Sequence, residues 1–99
     1  MKAGINGKKA DHLSRKIIED AGYGEFYGHS GGHGVGLEIH EIPSLAENYT
    51  ENLKQNSVVT VEPGIYLPGK FGVRLEDMAL VQKNDVKNLT NMSKKITIL

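Results

Sequence analysis

In GHSGGHGVGLEIHE, residues 28–41, His29, His33 and His40 are three of the chain's four histidines, and five of the first nine positions are glycine. Near neutral pH an imidazole can bind a metal, carry a proton or donate to developing negative charge. Glu62, Arg74 and Glu76 follow in VVTVEPGIYL and GVRLEDMALV. Glu62 lies seven residues before Gly69 and Glu76 seven after it. A hairpin turning about Pro68, Gly69 and Lys70 therefore sets the two carboxylates opposite each other, although Pro63 interrupts the ladder beside Glu62. Carboxylates taken out of water need a cation, a metal or a proton. Two readings stand. Arg74 pairs with Glu62 or Glu76 as a structural ion pair, or a hard divalent cation lies between the glutamates with an imidazole completing its shell.

The glycines need a reason of their own, because each costs backbone entropy. No Gly-Lys-Ser/Thr follows, which excludes a P-loop, and GGHGVG lacks the dinucleotide-binding spacing. The expectation is that glycine lets the main chain approach a ligand closely while histidines point inward. His12 is expected to face solvent from a helix.

The elements that must position these residues can be read from periodicity. Ala10, Leu13, Ile17, Ile18 and Ala21 line one face of a helix, and Gly22 supplies its left-handed stop. Asp11 and Arg15, four apart, are expected to pair on the helix's solvated rim. Val35, Leu37 and Ile39 alternate with Gly36, Glu38 and His40, the pattern of a half-buried strand. PSLAENYTENLKQNS reads as a polar surface connection. SVVTVEPGIYL and GVRLEDMALV read as a hairpin, and the tail VKNLTNMSKKITIL as one or two short edge strands.

Composition bounds the partners. Ninety-nine residues, 38% of them hydrophobic, suffice for one modest core and a single domain, 1–99. Twelve basic and twelve acidic side chains cancel, which disfavours nucleic acid and anionic membrane surfaces. The chain has no cysteine, removing disulfides, thiolate metal sites and a cysteine nucleophile. No segment approaches the ~20 apolar residues that span a bilayer, and no secretory leader is evident, so a cytoplasmic protein is expected.

HSGGHGVGLEIHEIP, VEPGIYLPG and GVRLEDMALV, in this order, resemble the C-terminal signature blocks of the creatinase, aminopeptidase P, prolidase and methionine aminopeptidase family. Asp77 directly after Glu76, and Arg74 two before it, resemble the Xaa-Pro aminopeptidase and Xaa-Pro dipeptidase branch. The resemblance implies an α+β fold, half of a "pita-bread" domain: one N-terminal amphipathic helix followed by a mainly antiparallel curved sheet. It implies hydrolysis of the bond before proline in a peptide substrate at two divalent ions, Mn²⁺ or Co²⁺ first and Zn²⁺ as a further option. By position, His33, Glu62 and Glu76 match metal ligands, with Glu62 also carrying a proton. His29 and His40 match histidines that contact substrate or stabilise charge on the scissile carbonyl, and Arg74 an arginine that orients its neighbours.

The family's two metal-binding aspartates lie upstream of the region that GINGKKAD resembles. Asp11 and Asp20 fall outside that motif. The chain is thus expected to be the C-terminal half of an N-terminally truncated domain, its partner being the missing N-terminal half. Alone it should bind metal weakly or not at all and lack peptidase activity; homo-oligomerisation is left open. Two alternatives compete: a non-enzymatic pita-bread module that binds proteins, and a mononuclear zinc protein using His29, His33, His40 and a glutamate.

Overall fold

A computed structural model describes residues 1–96 and 98. Asn6 opens the helix α1, Gly7–Asp20, its side chain accepting the Lys9 amide at 2.8 Å as an N-cap. Gly22, at φ +90°, ends it as the sequence predicts. A short 3₁₀ turn, Gly24–Phe26, leads into the glycine-rich stretch.

Seven strands follow among the described residues: β1 Gly32–Gly34, β2 Glu41–Leu45, β3 Val58–Val61, β4 Gly64–Leu67, β5 Phe71–Arg74, β6 Asp77–Val81 and β7 Val86–Asn88. β2, β1, β3, β6 and β7 form a five-stranded sheet in that order, and β4 pairs with β5 in a separate ribbon. Every pairing is antiparallel. The predicted hairpin is present as two ladders in one register, Val61 opposite Asp77 below Pro63 and Gly64 opposite Arg74 above it. Pro63 cannot donate to a ladder, which accounts for the gap. The tail contributes the edge strand β7; positions 97 and 99 lie outside the described residues.

Ala10 of α1 packs with Leu45, Leu53, Val59, Ala79 and Val81 to form the core. Three expectations change. Leu37 and Ile39 are fully or largely exposed and 36–40 forms no strand, because the pairing edge is taken instead by Gly32–Gly34. The polar connection is partly internal, with Leu45 in β2 and Leu53 in the core. On α1, Leu13 and Ile17 are exposed while Asp11 and Arg15 are buried, so the apolar face lies largely uncovered and the ion pair faces inward.

Candidate functional site

Strand β1 reaches the middle of the sheet because it has almost no side chains. A Cβ on Gly32 would collide with the Thr60 carbonyl, and one on Gly34 with the Ile42 carbonyl. The expectation that these glycines line a ligand wall is therefore corrected: Gly32 and Gly34 are buried against neighbouring main chain, where they permit close strand approach. The Thr60 hydroxyl accepts the His33 amide at 3.1 Å, and the Glu62 amide donates to the Gly31 carbonyl at 2.8 Å. These two bonds bring His33 and Glu62 side by side.

Nε2 of His33 stands 3.3 Å from a Glu62 carboxylate oxygen, both side chains mostly shielded from water. Nδ1 of His33 donates to the Gly34 carbonyl at 2.9 Å. In a neutral ring with that tautomer, Nε2 presents a lone pair to a carboxylate, and two acceptors face each other. A proton on Nε2 or a cation between the groups resolves the conflict.

Across the gap at Pro63, the shared register sets Glu76 opposite Glu62. Of the two sequence readings for Arg74, the ion pair takes this form: Arg74 Nε lies 3.6 Å from a Glu76 carboxylate oxygen, both side chains about half exposed. Tyr66 first, and the charges of Glu76 and Glu62 after it, raise the Arg74 pKa further and keep the guanidinium protonated.

His40 is exposed on the loop after β1, its ring 4.4 Å from that of His33 in edge-on contact. His29 lies on the other side. Its Nδ1 donates to the Ser30 carbonyl at 2.7 Å, which leaves Nε2 to accept from the Tyr66 hydroxyl at 2.9 Å. Four of the six predicted residues thus form two contacting pairs, His33 with Glu62 and Arg74 with Glu76, and His40 touches the first. His29 instead joins Tyr66. Among the described residues no three His, Asp or Glu side chains converge to hold a metal ion, and the four-donor zinc arrangement does not assemble. Asp20 is engaged by Lys16 at 2.7 Å on the helix surface, and His12 is exposed as expected.

Two features were not singled out from sequence. Tyr66 is one; its signal was an aromatic residue flanked by glycines, since Gly72, its partner across the ribbon, and Gly64 leave room for its ring. The burial of the Asp11 and Arg15 pair, which the sequence places on the solvated rim, is the other. Arg15 Nε meets Asp11 at 2.7 Å, and the Arg15 pKa is raised chiefly by that hydrogen bond.

A sequence model of metallopeptidase family M24 matches residues 1–83. The chain belongs to this family. A Xaa-Pro dipeptidase of Pyrococcus horikoshii is 46% identical over 95 residues, 96% of this chain and 27% of that protein. Among solved structures, a Xaa-Pro dipeptidase from Bacillus anthracis superposes with a TM-score of 0.97 at 49% identity, covering all of this chain and 28% of that one. An X-prolyl aminopeptidase from Caenorhabditis elegans, described as cytosolic with a di-nuclear active site, gives a TM-score of 0.70 at 34% identity over 81% of this chain and 13% of that one. The chain therefore spans little more than a quarter of the length of these dipeptidases. The α+β fold, one helix followed by mainly antiparallel sheet, is the half pita-bread unit expected for the M24 family. Among the described residues no helix is long and apolar enough to cross a membrane.

Proposed function

We propose that this chain is the C-terminal half of the catalytic domain of a cytoplasmic Xaa-Pro peptidase that hydrolyses the bond before proline in short peptides. The observation that carries the reading is the His33 and Glu62 pair, two acceptors that need a cation or a proton between them. His33, Glu62 and Glu76 would hold divalent ions, Mn²⁺ or Co²⁺, with the remaining donors coming from the missing half of the domain. When bound, two such ions supply an acidified water and a polarised peptide carbonyl. Glu62, shielded and beside that position, carries a proton to the departing proline nitrogen. His29 and His40, on either side of His33 in the chain, contact the peptide and stabilise charge on the carbonyl oxygen. Arg74 holds the Glu76 carboxylate in place.

With His33, Glu62 and Glu76 as an incomplete donor set, the isolated chain should bind these ions weakly and show no turnover. A graft tests the reading. The matching 28% of the B. anthracis Xaa-Pro dipeptidase is replaced by this chain, and the chimera, supplied with Mn²⁺, is assayed on Xaa-Pro dipeptides. Retained cleavage, lost on His33→Ala or Glu76→Gln, is expected. A folded, manganese-loaded chimera without cleavage would overturn the reading and leave a protein-binding module in its place.

A further inference from the structure

The Asp11 and Arg15 pair has no part in the chemistry above, yet its carboxylate and guanidinium are among the most deeply buried polar groups described. A buried ion pair is rarely needed for stability, since apolar residues of similar volume hold a fold as well or better. Main-chain hydrogen bonds are what apolar residues cannot supply. Arg15 Nη1 donates to the Tyr27 carbonyl at 3.0 Å and Nη2 to the His29 carbonyl at 2.8 Å. Asp11 Oδ1 accepts the Gly31 amide at 2.8 Å, an amide shared with the Leu45 carbonyl at 2.7 Å. The two Asp11 oxygens also receive Arg15 Nε and Nη2, a forked contact at 2.7 and 3.2 Å. The guanidinium carbon lies 4.0 Å over the Tyr27 ring, which contacts the His29 ring edge-on at 5.1 Å.

The contacts with Tyr27, His29 and Gly31 all fall on residues 27–31, at whose centre sits His29, while Arg15 Nε also lies 3.2 Å from a carboxylate oxygen of exposed Glu47. Tyr27 and Gly31 have further main-chain partners in Gly24, Leu45 and Glu62, but among the described residues the main chain of 28–30 is held only by Arg15 and by the His29 ring itself. Gly28 and Ser30 are exposed, and a side chain on Gly28 would meet nothing within 4 Å. Without an anchor, a segment so rich in glycine samples many backbone states.

We propose that Asp11 and Arg15 act as a positioning clamp that fixes the main chain on both sides of His29 and so aims its imidazole at Tyr66. The significance of the clamp rests on His29 being a peptide contact; its test reads the geometry of His29 and uses neither metal nor peptide. Arg15→Lys keeps the charge but places its donors at one point, unable to reach both Asp11 oxygens and two carbonyls.

The 99-residue chain is compared with Arg15→Lys and Asp11→Asn by NMR of the imidazole nitrogens. In each folded variant, judged by unchanged β3 and β6 amides, the His29 signals should lose the pattern of a fixed Nδ1–H tautomer while those of exposed His12 stay put. An unchanged His29 pattern in a folded variant overturns the clamp. Should neither variant fold, the unsubstituted chain decides. The Arg15 guanidinium should show separately resolved, slowly exchanging Nη protons, against the averaged signal of exposed Arg74. An averaged Arg15 signal overturns the proposal.

Discussion

Nε2 of His33 and a carboxylate oxygen of Glu62 stand 3.3 Å apart, and the other ring nitrogen donates its N–H to the Gly34 carbonyl. The pair is better suited to a guest cation than to a metal-free fold. In Glu62→Gln the new amide can donate to Nε2, so the metal-free chain should be as stable as before or more so, by up to about 1 kcal/mol. Thermal melts in chelator check this. A clear loss of stability would mean that the pair already shares a proton.

Metal binding by the chain alone should be weak, because its donors come as a pair with Glu76 on the facing strand. Manganese should broaden NMR signals around His33 and Glu62 only at high concentration, and His33→Ala should abolish the effect. Calorimetry showing two tightly bound ions, together with cleavage of a Xaa-Pro dipeptide, would contradict this.

Two glycines should respond to alanine for different reasons. Gly32→Ala drives a methyl into the Thr60 carbonyl between β1 and β3, an overpacking with an expected cost of ~3 kcal/mol or more. Gly22→Ala meets nothing within 4 Å but must adopt φ +90°, for about 1 kcal/mol. Denaturant midpoints of the two variants should fall in that order.

Burial raises the Tyr27 pKa above the ordinary phenol value, and among the described residues its hydroxyl has no hydrogen-bond partner. Below about pH 10 the phenol is neutral in both folded and unfolded chains, so its full contribution is present. As pH rises further the unfolded chain ionises first, and stability is lost on the way to the folded-state pKa. Tyr27→Phe should flatten this alkaline decline, apart from a share due to Tyr49, whose pKa burial also raises. At neutral pH the same variant should change stability by less than ~0.5 kcal/mol.

The opposed glutamates were legible in sequence because strand geometry is local: equal spacing about Gly69 defines a register, and Pro63 interrupts the ladder without shifting it. The helix and its glycine stop were legible for the same reason. The pairing of Asp11 with Arg15 was legible too, but its burial was not. The periodicity of Leu13 and Ile17 marks an apolar face, but of that face only Ala10 is buried, while the polar pair turns inward to meet main chain 12 to 20 residues further on. Backbone acceptors leave no trace in residue type. The alternation from Val35 to Ile39 misled for a related reason, since it specifies a face without specifying a neighbour, and β3 is occupied by the glycines ahead of it.

The single register that runs past Pro63 also carries a consequence for inheritance. Chemistry at Pro68 and Lys70 is free to drift, since both are exposed, whereas Gly69 at φ +73° favours glycine. The number of residues there is not. Dropping or adding one codon between Leu67 and Phe71 would slide Glu76 one step along its strand and turn it away from Glu62. Point changes at Pro68 and Lys70 should therefore be tolerated where indels are purged.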